Sequence, residues 1–140
     1  MPILYTTKAT STGGRVGSST SEDGNLSVTL TSPKELGGDS APGTNPEQLF
    51  AAGYSACFLG ALKFVASKEK VNIPEDTTVT ATVGIGPRED GTGFGIEVAL
   101  SVSIPGLDRA TAEDLAAKAH VVCPYSHAMR TQTEVPVTVA

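Results

Sequence analysis

Tryptophan is absent from this 140-residue chain, and its other aromatics amount to four Phe and three Tyr. A surface that stacks successive bases needs more ring area than that, which excludes a single-stranded nucleic-acid platform. Positive charge is also scarce. Ten Lys and Arg face fifteen Asp and Glu, a formal net charge of -5, so no basic stripe exists to neutralise phosphates or to hold an anionic membrane surface. Cysteine occurs only twice, which fits two thiols or a redox pair in a reducing compartment better than a disulfide scaffold. Met1-Pro2-Ile3-Leu4-Tyr5 has no basic run leading into an apolar one. No export signal is therefore expected, and the expected address is the cytoplasm. The most apolar stretch, Leu49 to Ala66, is interrupted by Gly53, Ser55, Gly60 and Lys63. It is a weaker run than the about 20 apolar residues that a bilayer requires.

What the chain does have is 39% hydrophobic residues without repeats or linker-like tracts. That is enough to bury a core, and the length fits one domain over residues 1–140. Ile3 to Thr10 is rich in Thr and β-branched residues and predicts a strand that Gly13-Gly14 ends. Leu26 to Leu30 alternates apolar and polar residues, as a half-buried strand does. The preceding Glu22-Asp23-Gly24-Asn25 is hairpin-turn chemistry. A loop rich in Gly, Pro, Ser and Asp follows, from Ser32 to Thr44.

Asn45 can cap a helix, Pro46 suits its first position, and Gln48 stands where a capping-box partner belongs. The spacing predicts a helix from there to about Glu69, roughly 35 Å long. Its apolar residues lie on nearly every side, so it is expected to be buried all round. A domain this small has little with which to wrap such a helix, and a second subunit is expected to cover part of it. Two strands, Thr77 to Gly84 and Phe94 to Ile104, come next. A helix capped by Asp108 runs from there to about Val122 and is broken at Cys123-Pro124. A last strand is expected over Glu134 to Val139. Strands and helices are segregated along the chain, which makes the fold class α+β.

Cys57 in the long helix has a plain reading as an inert core thiol. Cys123, at a helix break beside Pro124, Tyr125 and Ser126, has one as an incidental thiol. Taken together they offer another: one thiol attacks a substrate and the other resolves the product as a disulfide, which needs Cα atoms within about 4.4–6.8 Å. The attacking thiol must be ionised, and burial opposes that, so a cation is required. Arg15 follows Gly13-Gly14, a turn able to aim a guanidinium. Glu47, in the first turn of the long helix, either serves the helix dipole or holds Arg15 in a bidentate pair. Glu47 and Cys57 are ten residues apart, roughly 15 Å along one helix. The simplest single site therefore sets Arg15 and Glu47 of one subunit against Cys57 of another. A rival use of these residues is zinc, with His120, Cys123, His127 and Cys57 as ligands, although the spacings match no finger or ribbon. Gly84-Ile85-Gly86-Pro87 fails as a phosphate cradle, since Pro87 and the acidic turn after it oppose one.

The motifs Gly13-Gly14-Arg15, Pro33-Lys34-Glu35-Leu36-Gly37-Gly38, Asn45-Pro46-Glu47-Gln48-Leu49 running on to Cys57-Phe58, and Val122-Cys123-Pro124-Tyr125-Ser126 occur in order along the whole chain. In these the sequence resembles the organic hydroperoxide resistance proteins of the OsmC-like superfamily. The resemblance implies an α+β fold of antiparallel sheets around a long central helix, and an intertwined homodimer with sites at the subunit interface. It also implies a thiol peroxidase acting on organic hydroperoxides, with Cys57 as the peroxidatic thiolate and Cys123 as the resolving thiol. Arg15 and Glu47 then match the polar pair that activates Cys57. No bound cofactor or metal is implied, and the expected reductant is an external dithiol, dihydrolipoamide or a lipoylated protein. Two positions depart from the pattern: His127 where Asn is more usual, and Val16 where a polar residue is common.

Overall fold

A computed structural model describes all 140 residues, Met1–Ala140. The chain forms two compact units, Met1–Leu49 and Phe50–Ala140. Its elements are mixed, with antiparallel sheets and one long helix, as the α+β expectation requires.

In the first unit, strands β1 (Ala9–Thr12), β2 (Gly17–Ser21) and β3 (Ser27–Leu30) form an antiparallel sheet in that order. The register pairs Thr10 with Thr20 and Ser19 with Val28. The turn into β3 is closed by Asp23, whose carboxylate accepts from the Asn25 backbone N–H at 2.9 Å, while Gly24 adopts φ 77°. The strand expected from Ile3 is shorter than the sequence implied. Pairing begins at Ala9 opposite Ser21, and residues 1–8 have no regular structure, with Ile3, Leu4 and Tyr5 exposed. Without a neighbour to complete its ladder, a β-prone segment gains little from being extended.

The long helix α1 (Pro46–Lys68) begins as expected. Asn45 Oδ1 accepts from the Gln48 N–H at 2.9 Å. The capping box is not closed, however, because Gln48 Oε1 accepts from the Thr44 hydroxyl instead. Only the first turn of α1 belongs to the first unit; the rest forms the spine of the second. By length and composition α1 could cross a bilayer. In the structure its Tyr54, Phe58, Leu62 and Val65 are the centre of a packed core, joined by Leu115 and Ala119.

Strands β4 (Thr78–Pro87) and β5 (Phe94–Ser103) pair antiparallel along their whole length, from Thr78 with Ser103 to Pro87 with Phe94. Val79, Ala81, Val98, Leu100 and Val102 lie on the face packed against the core, as period-two alternation demands. Helix α2 (Arg109–Val122) starts at Asp108, whose side chain accepts from the Thr111 N–H at 3.1 Å. Lys118 on α2 pairs with Glu69 just past the end of α1.

Two further expectations are corrected. A third helix, α3 (Pro124–Arg130), follows the break at Cys123; Pro124 stops α2 but is well suited to begin a new helix. No strand forms over Glu134 to Val139. Val135, Val137 and Val139 are 74%, 88% and 98% exposed, and Pro136 has no N–H to give a ladder. Within one chain α1 is incompletely wrapped, as expected of so small a domain: Ala52, Ala56 and Gly60 are exposed, and so is Phe64, at 53%.

Candidate active site

Cys57 lies on α1 three residues after Tyr54 and is partly buried. Cys123 is the joint between α2 and α3. Pro124 disfavours helical geometry at the residue before it, and Cys123 accordingly adopts φ -61° and ψ 121°. The joint is nevertheless tied at both ends. The Cys123 N–H donates to the Ala119 carbonyl at 2.8 Å, and its own carbonyl accepts from the His127 N–H at 2.9 Å. This bend turns the fully buried Cys123 thiol toward α1, where its Sγ lies 3.8 Å from that of Cys57. Both thiols are free. A disulfide needs about 2.05 Å, so a small movement separates the dithiol from the bonded state.

The same joint makes a second link to α1. The Ser126 hydroxyl, completely buried, is hydrogen-bonded to Tyr54 Oη at 2.7 Å and to His120 Nδ1 at 2.9 Å. Tyr125 tilts its ring against Phe50 and Tyr54, with centroids 6.4 and 5.8 Å away. Glycine at position 53 leaves the ring room: a Cβ there would stand 3.1 Å from the Tyr125 hydroxyl, which would have to give by a few tenths of an ångström. Burial pushes the Cys57 thiol above its ordinary pKa, the Tyr125 backbone N–H donating to it works in the opposite direction, and the neighbouring Cys123 adds to the rise. In these surroundings Cys57 is a weaker acid than a free thiol, so its activation calls for a cation.

The second pair of candidates meets in the first unit. Gly13 and Gly14 adopt φ 77° and 68°, conformations that cost glycine little. They turn the chain so that Arg15 reaches Glu47 in a two-pronged pair, Nη1 to Oε2 at 2.9 Å and Nη2 to Oε1 at 2.6 Å. The hydrogen bonds from Arg15 hold the Glu47 carboxyl below the usual carboxylate range, and the same contact raises Arg15. The guanidinium is therefore oriented and permanently charged.

The structure thus brings the four candidates together as two pairs, Cys57 with Cys123 and Arg15 with Glu47. The ligand set of the zinc alternative is not gathered in one place. Cys123 faces Cys57 and His120 bonds Ser126, and no group of three or more His, Cys, Asp or Glu side chains is gathered to hold an ion. Tyr54 and Ser126 were not among the sequence candidates. The signal was present, since Tyr54 precedes Cys57 by three residues and Ser126 follows Cys123 by three.

A family model described as OsmC-like protein matches residues 37–139. The chain belongs to the OsmC-like family. Within it, several curated relatives that match almost the whole chain are organic hydroperoxide resistance proteins. The organic hydroperoxide resistance protein of Xanthomonas axonopodis pv. citri is 50% identical over 138 residues, 99% of this chain and 96% of that protein. Two solved OsmC-like structures are similar in fold as well as sequence. One is an organic hydroperoxide resistance protein from Elizabethkingia anophelis, 53% identical with TM-score 0.86, covering 93% of this chain and 91% of that one. The other is OhrB of Bacillus subtilis, 45% identical with TM-score 0.82, covering 91% and 93%.

Proposed function

We propose that this protein is a thiol peroxidase that reduces organic hydroperoxides to alcohols. The observation that carries the reading is the 3.8 Å approach of two free thiols, one partly exposed and one buried. In the first step the Cys57 thiolate attacks one oxygen of the O–O bond. That bond breaks, the alkoxide leaves and takes a proton to become the alcohol, and Cys57 becomes a sulfenic acid. Cys123 then attacks the Cys57 sulfur, giving a disulfide and water. An external dithiol, dihydrolipoamide or a lipoylated protein, reopens the disulfide through a mixed disulfide. No bound cofactor enters these steps.

Arg15 supplies the cation that Cys57 needs, and Glu47 fixes its direction. Because Glu47 and Cys57 are ten residues apart on α1, roughly 15 Å of helix, the pair acts on the cysteine of a second subunit in this reading. Surfaces left open in the single chain support a homodimer: Phe64 on α1, and the alternating Val135, Val137 and Val139 near the C-terminus. The apolar side chains around Cys57, Phe50 and Phe58 among them, favour alkyl and fatty-acid hydroperoxides over hydrogen peroxide. Free thiols fit a reducing compartment, the cytoplasm.

The test is a thiol count after one equivalent of cumene hydroperoxide, with hydrogen peroxide in parallel. The expected result is rapid loss of both thiols, slower with hydrogen peroxide, and their recovery with dihydrolipoamide. Thiols that survive the organic peroxide would overturn the reading.

A further inference from the structure

Two links join α1 to the joint between α2 and α3, and they have the same spacing on both sides. Tyr54 meets Ser126 and Cys57 meets Cys123, so three residues separate the links on α1 and three separate them on the joint. The two segments run past each other in opposite directions, with the hydrogen-bonded link lying beside the sulfur pair. Residues three apart on a helix are neighbours on one face. Whatever holds Tyr54 to Ser126 therefore also sets how the sulfur atoms face one another.

The hydrogen-bonded link is well placed to act as a fixed point. Ser126 is 0% exposed and Tyr54 is 3% exposed, so water does not compete for their hydroxyls. The link continues to His120 on the last turn of α2, before the break. Ser126 thus ties three segments together: α1 through Tyr54, α2 through His120, and its own α3. On the outer side, Arg130 donates to the His120 carbonyl at 2.5 Å and braces the same bend. The Cys123 sulfur must travel from 3.8 Å to about 2.05 Å to close the disulfide. A bend secured on both sides restricts where that travel can go.

We propose that Ser126, through Tyr54 and His120, is a positioning residue for the resolving step. It holds Cys123 poised against Cys57, so that the sulfenic acid is captured before a second peroxide oxidises it to the sulfinic acid. The proposal rests on the peroxidase reading and adds a residue to it. The Ser126 hydroxyl is hydrogen-bonded to Tyr54 and His120 and to neither sulfur, so the attack of Cys57 on substrate is expected to proceed without it.

The experiment compares full-length Ser126→Ala and Tyr54→Phe with the wild type. The initial oxidation of Cys57 by cumene hydroperoxide is expected to stay within about twofold, while closure of the disulfide slows about tenfold, because a misplacement of this kind weakens proximity. Dimedone then traps more sulfenic acid, and less peroxide is needed to reach the sulfinic acid. In glutathione buffers, the Cys57–Cys123 disulfide forms less readily in the variants by a similar factor. Tyr54→Phe keeps the ring and loses one oxygen, so it carries the test if Ser126→Ala does not fold. Folded variants that close the disulfide at the wild-type rate would overturn the proposal, as would equal losses in oxidation and closure. The glutathione measurement needs no peroxide. A wild type that ignores cumene hydroperoxide but forms the disulfide in glutathione would end the peroxidase reading, and the ratio of variant to wild type would still decide the role of Ser126.

Discussion

The Sγ atoms of Cys57 and Cys123 lie 3.8 Å apart although 66 residues separate them along the chain. Their contact is made by the helix break at Pro124, which turns a buried thiol inward from the joint between α2 and α3. The two cysteines are not equivalent: Cys57 is partly open and Cys123 is closed off. Cys57→Ser is expected to abolish peroxide consumption. Cys123→Ser is expected to complete one oxidation and then stall as a sulfenic acid, detected by dimedone and mass spectrometry. A Cys57→Ser protein that still turns over would remove Cys57 from the chemistry.

Arg15→Ala tests the source of the missing cation. Burial raises the Cys57 pKa; in the proposed dimer the Arg15 guanidinium of the other subunit offsets that rise, so its removal leaves the thiol the weaker acid. The rate of Cys57 alkylation by iodoacetamide, followed against pH, should have its midpoint at higher pH in the variant. At neutral pH, oxidation by cumene hydroperoxide should fall by about tenfold to a hundredfold, in step with the thiolate fraction. An unchanged alkylation profile would mean that Arg15 does not act on Cys57.

Glu47 makes a separate prediction about stability. Its folded pKa is lowered by Arg15, so the pair contributes stability above the unfolded carboxylate pKa of about 4.3. That contribution disappears as pH falls through the lower folded value. The Arg15 and Glu47 side chains are 38% and 16% exposed, and solvent screening keeps the contribution to about 1 kcal/mol or less. Glu47→Gln should therefore lower the melting temperature slightly at pH 7 and not at all at pH well below the folded value. A loss that persists at the acidic end would point to packing rather than charge.

Local chemistry made much of this fold legible. Asn45-Pro46 placed the start of α1, Asp108 placed the start of α2, and Asp23-Gly24-Asn25 placed a turn, because each acts through backbone groups a few residues away. The pairing of Arg15 with Glu47 is legible because a guanidinium after a glycine turn and a carboxylate at a helix start have few better partners. What local chemistry could not give was set by partners distant in sequence. Residues 3–8 and 134–139 have strand composition but no strand beside them in one chain. Helix α3 was hidden because Pro124 signals an end and a beginning alike. Ser126 needed Tyr54, 72 residues away, before its hydroxyl had a meaning.

The turn that carries Arg15 offers a test by two neighbouring glycines. Both have positive φ, but their surroundings differ. A Cβ at Gly13 would stand 2.2 Å from the Val16 carbonyl oxygen, whereas one at Gly14 would meet nothing within 4 Å. Gly13→Ala must therefore shift the backbone and should reproduce the slow oxidation expected of Arg15→Ala. Gly14→Asn, a residue that tolerates the left-handed region, should retain most of the activity. Equal activity in both variants would show that the turn does not position Arg15.

Phe64 provides the last test, of the second subunit. It is 53% exposed on α1, with Lys68 Nζ 5.4 Å from its ring centroid. A surface substitution in a monomer costs within about 0.5 kcal/mol, so Phe64→Asp would be nearly silent if that face met only water. If a second copy covers it, the charge is buried against an apolar surface and association weakens. Analytical ultracentrifugation of the wild type is expected to give about twice the 14.3 kDa chain mass. The variant should shift toward the monomer and lose peroxide turnover together with the dimer, because Arg15 would then no longer reach the Cys57 of another subunit. A fully active monomer, in either protein, would exclude a site shared between subunits.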